Sequence, residues 1–109
     1  MQLQELQKII TDLADKKGWG NKPEDIIFGE KIALLHSEVS EMLEAYRKNN
    51  WHDRNSVGEE MADVLARVLH LACIYNINIE KELLTKLEID KTRDWSNDQL
   101  YIDRDKRNK

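Results

Sequence analysis

The sequence predicts an all-α fold, a bundle of four helices. Three observations point there. Apolar residues recur at spacings of three and four along four separate stretches. Proline occurs once and glycine four times, aromatics make up 6% and charged residues 35%, a balance that suits helices better than sheets. The connections between the stretches are short, as they are between antiparallel neighbours in a bundle. With 109 residues the chain suggests one domain with a real but small core. We place that domain at residues 1–95 and a polar, loosely held tail at 96–109.

The first helix spans about Gln2 to Lys17, with Leu3, Leu6, Ile10 and Leu13 along one face, and Gly18 stops it. "GWGNKPED" is a loop in which Pro23 suits the start of a new turn. The second helix spans about Gly29 to Lys48, its apolar stripe made by Ile32, Leu35, Val39, Met42 and Tyr46. A polar loop, "NNWHDRN", follows. "SVGE" then forms a capping box, with Ser56 as N-cap and Glu59 three residues on. The third helix ends near Tyr75, and Met61, Val64, Leu65, Val68, Leu69 and Ala72 give it a wide apolar sector. After the break "NIN", Asn78 caps a fourth helix from about Ile79 to Lys91 that uses Leu83, Leu84 and Leu87. The apolar sectors of the second and third helices exceed what one chain of this size covers. Helix pairing between subunits, in a homodimer or a dimer of dimers, is therefore expected.

A net charge of −4 argues against nucleic acid as a partner, and the basic tail "RDKRNK" does not reverse that. Cys73 is the single cysteine, so no internal disulfide forms. Its setting, "LHLACIY", is that of a buried inert thiol in a reducing compartment. No basic-then-apolar leader opens the sequence, and no apolar run approaches the ~18 residues of a membrane span. The expectation is a cytoplasmic protein.

The chemistry lies in "LLHSEVSEMLEA" and "VGEEMADVLARVL". Glu38 and Glu41 are three apart on a helix, as are Glu60 and Asp63, so each pair projects together. Both pairs sit at the border of an apolar sector. Antiparallel packing would bring them face to face across a partly buried seam. Two unit charges 4 Å apart repel by roughly 4 kcal/mol at an effective dielectric of about 20, so protonation or cations must compensate. Mg²⁺, or Mn²⁺ in its place, answers this with oxygen ligands and phosphate oxygens of a substrate. One such pair alone would be an ordinary solvated face; two pairs embedded in apolar helices are harder to explain that way. A di-iron bundle would want Glu-x-x-His, and no glutamate here has that partner.

The ordered set Glu38-x-x-Glu41, spacer, Glu60-x-x-Asp63 resembles the signature of the MazG-like all-α nucleoside triphosphate pyrophosphohydrolases, relatives of dCTP pyrophosphatases and dimeric dUTPases. "LLHSEVSEMLEAYRK", "GEEMADVLARVLHLA" and "KLEIDKTR" are similar to the small single-domain members in context and order, over about Phe28 to Arg93. The resemblance implies Mg²⁺-dependent cleavage between the α and β phosphates, giving a nucleoside monophosphate and pyrophosphate, with a role in cleaning or balancing nucleotide pools. It implies Glu38, Glu41, Glu60 and Asp63 as metal ligands, with Glu38 or Glu41 orienting or deprotonating the attacking water. It further implies Lys86 and Arg93 as phosphate-facing cations. Asp90 stands where the family carries Asn, and the family's Pro-aromatic-basic-His-Gly tail is replaced by "RDWSNDQLYIDRDK".

A base needs a flat apolar partner, and Trp19 and Trp51 stand in loops with polar neighbours. They and His36, close to Glu38, complete the candidate substrate-binding set; Trp95 and Asn21 stand behind them. His52 and His70 are structural or solvated on this reading, and Arg67 makes a salt bridge to Asp63 within its helix. The competing reading is a non-catalytic helical interaction module whose acidic pairs are surface charge.

Overall fold

The computed structural model describes residues 1–93. Four α-helices follow one another: α1 (Leu3–Lys17), α2 (Phe28–Arg47), α3 (Val57–Ile74) and α4 (Ile79–Thr92), with a 3₁₀ turn at Pro23–Asp25 and no strand among the described residues. The expected elements are present in the expected order. Trp95 and the segment 96–109 lie outside the described residues.

Two helix starts carry the side-chain caps the sequence announces. Ser56 Oγ accepts from Glu59 N at 3.2 Å, and Asn78 Oδ1 accepts from Lys81 N at 3.1 Å. The Glu59 carboxylate returns to Asn55 N, one residue before the cap, and Arg54 lies 3.7 Å from it. Three helix ends share one device. Gly18, Asn49 and Asn76 adopt left-handed φ values of 71°, 56° and 55°. The next N–H in each case reaches back five residues: Trp19 to Ala14 O (3.0 Å), Asn50 to Ala45 O (2.9 Å) and Ile77 to Ala72 O (2.8 Å). These are Schellman closures, in which glycine or asparagine takes the left-handed position at least steric cost.

The helix α3 is the centre of the molecule, packed against α2 on one side and α1 on the other. Phe28, opening α2, meets Tyr75 just beyond α3 with ring centroids 5.5 Å apart, while Asn50 O after α2 accepts from Val57 N at 3.0 Å. The two helices therefore run antiparallel. Cys73 Sγ donates to Gln7 O (3.1 Å) and Gln7 Nε2 donates to Ile77 O (2.7 Å), fixing the start of α1 to the end of α3. The axis turns by 109° between α3 and α4, and α4 rests mainly on α1.

Among the described residues the buried apolar side chains are Ala14, Ala45, Val57, Leu69, Ala72 and Ile74. Three of them are alanines, so helices approach closely but little apolar volume is enclosed. Much of the expected core stripe stays open. Val39 and Tyr46 on α2, Met61 and Leu65 on α3, and Leu83, Leu84 and Leu87 on α4 are all exposed, Tyr46 by 60%. The physical reason is the turn before α4, which directs that helix away from the α2–α3 face. No single helix among the described residues is long and apolar enough to cross a membrane.

Candidate functional site

The loop between α2 and α3 sets the position of the acidic residues. Asn50 bridges it: Nδ2 donates to Arg54 O (3.0 Å), and Oδ1 accepts from Asp53 N (3.1 Å). With the Val57 N–Asn50 O bond and the Ser56 cap, this locks the first turn of α3 against the end of α2. Glu60 falls in that turn and is buried, 7% exposed. Asp63, one turn later, is exposed, and Glu38 on α2 is partly buried.

One carboxylate oxygen from each of Glu38, Glu60 and Asp63 lies within 4.8 Å of the others. Three of the four acidic residues expected at the metal site are thus brought together. Glu41 is exposed and stands outside this group. Glu38 Oε2 and Glu60 Oε2 are buried and accept no hydrogen bond from the protein. Buried acceptors are ordinarily paired, and leaving a carboxylate oxygen unpaired is costly. Hard oxygen donors with unsatisfied, inward lone pairs fit a divalent cation, and Glu38, Glu60 and Asp63 are the residues that would hold it.

Arg67 does not pair with Asp63 within α3. It crosses to α2 instead, where Nη2 and Nε both contact Glu38 Oε1, at 2.8 and 2.9 Å. The helix register explains the difference: the antiparallel seam sets Arg67 opposite Glu38, whose side chain is 12% exposed, whereas Asp63 faces water. A pairing partner in a drier setting is the stronger one.

The acidic group opens on a cleft of about 610 Å³ whose walls include Trp19, Lys31, Glu38, Asp63, Arg67 and His70, with Ile10 and Leu13 supplying apolar surface. Trp19 is placed by the Schellman closure of α1. Gly20, at φ 89°, then passes so near Asp25 that a Cβ would meet its Cβ at 2.9 Å. Gly20 O lies 2.9 Å from His70 Nε2. A carbonyl only accepts, so the imidazole proton of this bond is on Nε2. The His70 ring also meets Trp19 edge-on at 6.2 Å. His70, expected to be merely structural or solvated, therefore both ties the loop to α3 and lines the cleft.

The other candidates lie elsewhere. Trp51 stacks edge-on against Tyr46 at 5.9 Å and donates from Nε1 to Asn49 Oδ1 at 3.1 Å, as a loop anchor does. His36 is exposed and does not line the cleft. Two residues from Glu38, it points about 160° away around the helix. Asn21 ties its loop to α1 through Thr11 O (3.1 Å) and the Asp15 carboxylate. Lys86 Nζ lies 3.3 Å from Asp90 Oδ1 on α4, so the acidic residue standing in place of asparagine has a cationic neighbour. Neither Lys86 nor Arg93 lines the cleft. Lys31, not singled out from sequence, precedes Glu38 by seven residues and shares its helix face; that spacing was the available signal.

Comparison with curated proteins and with solved structures gives no match. The family model of the MazG nucleotide pyrophosphohydrolase domain matches residues 30–94, well over half of the chain. The matched segment contains all four carboxylates of the two acidic pairs. The chain, all-α and with its acidic group at the α2–α3 seam, belongs to the MazG nucleotide pyrophosphohydrolase family.

Proposed function

We propose that the protein is a Mg²⁺-dependent nucleoside triphosphate pyrophosphohydrolase that splits its substrate between the α and β phosphates, releasing a nucleoside monophosphate and pyrophosphate. The observation that carries this is the acidic triad Glu38, Glu60 and Asp63, with two buried oxygens lacking partners, at the edge of a cleft that also holds cations and an aromatic ring. A divalent cation bound there supplies charge neutralisation at phosphate and a water of lowered pKa; Mn²⁺ is the alternative ion.

Glu41 is the general base in this reading. It is one turn from Glu38, exposed and outside the triad, so its carboxylate is available to take a proton from water. Lys31 and Arg67 face the phosphates from the cleft wall, and Trp19 offers its ring to the base. Lys86 and Arg93 take part in phosphate binding in an assembly that brings an α4 to the cleft. The exposed apolar residues of α2, α3 and α4 support such an assembly, a homodimer or a dimer of dimers.

The test is a panel of canonical and altered nucleoside triphosphates incubated with Mg²⁺ and resolved by ion-exchange chromatography. Monophosphate plus pyrophosphate from one or a few nucleotides is expected. No turnover with either Mg²⁺ or Mn²⁺ would overturn the reading.

A further inference from the structure

The proposed metal centre already contains a cation of the protein's own. Arg67 places two guanidinium nitrogens on one oxygen of Glu38, at 2.8 and 2.9 Å, while the other Glu38 oxygen is buried without a partner. The two ends of the pair differ in setting. The Glu38 side chain is 12% exposed, whereas the Arg67 side chain is 42% exposed and lines the cleft with Lys31 and Trp19. Arg67 thus has open space to move into; Glu38 does not.

We propose that Arg67 is a resident counter-cation that the divalent ion displaces from Glu38 and that the substrate's phosphates then receive. This rests on the metal-centre reading above. A full guanidinium charge within hydrogen-bond distance of a metal ligand opposes a second, doubly charged cation at that ligand. The same charge, released into a cleft that holds a triphosphate, finds pairs of non-bridging oxygens that accept both arms of its fork. The exchange makes metal and phosphate binding mutually dependent. The phosphate-free site holds its ion weakly because Arg67 competes; the phosphate-loaded site holds it firmly because Arg67 has a better partner elsewhere. Coupling of this kind is reciprocal. Lys31, on the same cleft wall, adds positive charge where Arg67 arrives but forms no ion pair with Glu38 in this structure.

The test uses the full chain and two probes. Mn²⁺ affinity without phosphate is read from the free-ion signal in electron paramagnetic resonance. Binding of inorganic triphosphate with Mg²⁺ present is read by calorimetry. Arg67→Gln should bind Mn²⁺ about tenfold more tightly than wild type, and inorganic triphosphate about tenfold more weakly, each the equivalent of one charge interaction lost or gained at partial exposure. Arg67→Lys keeps the charge and should stay within about twofold of wild type for Mn²⁺. Equal or weaker Mn²⁺ binding by Arg67→Gln would overturn the proposal, since Arg67 would then be holding Glu38 in place for the ion. A gain in Arg67→Lys as large as in Arg67→Gln would overturn the charge argument. Unchanged triphosphate affinity would overturn the transfer to phosphate. Asp63→Asn separates the two readings: if it alone loses Mn²⁺ while Arg67→Gln matches wild type, the metal centre stands and the role of Arg67 falls. If no form of the protein binds Mn²⁺, the metal centre itself falls.

Discussion

Replacing Glu60 by Gln should make the ion-free protein more stable and deprive it of its response to Mg²⁺. Glu60 is 7% exposed, and one of its oxygens is within 4.8 Å of carboxylate oxygens on both Glu38 and Asp63. At that separation each like-charge pair costs at least about 3.5 kcal/mol at an effective dielectric of 20. Two corrections reduce the sum. Arg67 compensates the Glu38 charge, and Asp63 is exposed, so its field is screened by water. A net gain of about 1–2 kcal/mol is then expected for the neutral, isosteric amide, or roughly 4–16 °C in melting temperature for a domain of this size. The amide N–H₂ also gives the neighbouring carboxylates a donor that Glu60 cannot.

The assay is thermal denaturation followed by circular dichroism, with chelator and then with Mg²⁺, at one fixed protein concentration because assembly shifts the midpoint. Wild type should gain about 2.7 kcal/mol when Mg²⁺ reaches a hundred times its dissociation constant; Glu60→Gln should gain almost none. A variant that melts below wild type in chelator, and still rises with Mg²⁺ by the wild-type amount, would refute the reasoning. Glu60 would then be held by attraction, and the ion, if any, would sit elsewhere.

Further outcomes follow from the same geometry. Glu41→Gln should lower kcat by about a hundredfold or more, the scale of general-base catalysis, with Mn²⁺ affinity within about twofold of wild type in a binding titration. Trp19→Ala should raise KM about tenfold with little change in kcat, since a stacking contact contributes about 1–3 kcal/mol and binds substrate and transition state alike; steady-state kinetics decides it. Ser56→Ala should destabilise by about 1 kcal/mol through the lost cap, read in urea denaturation. Light scattering at micromolar concentration should give a dimer or tetramer; a monomer would leave the exposed apolar residues of α2, α3 and α4 without the partner proposed for them.

Much of the fold was legible because its signals are local. Gly18, the Ser56–Glu59 cap and Asn78 each mark a boundary by chemistry that involves only a few neighbouring residues. Asn49 and Asn76 do the same work as Gly18 but are less visible, since asparagine also serves in turns of other kinds. The partners of the site residues were less legible, because they depend on register between helices. Spacing along α3 offers Asp63 to Arg67, yet the seam with α2 offers Glu38 in a drier setting, and that wins. Glu41 shows the same limit: three residues from Glu38 it shares a face, but of the two only Glu38 belongs to the group formed with Glu60 and Asp63. Trp51 and Trp19 look alike in sequence. What separates them is which end of the helix pair their loops occupy, a fact of packing rather than of composition.

The position of Glu60 ties the stability of the chain to its chemistry. A buried carboxylate beside two others opposes folding, and in the proposed reading the same arrangement is what attracts a cation. The first turn of α3 is where such a charge is least unfavourable, because the aligned peptide dipoles give a helix start partial positive character. The same turn is also the most heavily fastened start among the described helices. Ser56 caps it, Glu59 reaches back to Asn55, and Asn50 holds the loop through three hydrogen bonds. These fastenings keep the helix from fraying where repulsion among Glu38, Glu60 and Asp63 would otherwise open it. Weakening the cap should therefore do more than destabilise: it should lower affinity for the cation, because a frayed first turn no longer presents Glu60 to Glu38. A Ser56→Ala protein that loses stability yet binds Mn²⁺ as well as wild type would break that link and leave the cap a purely structural device.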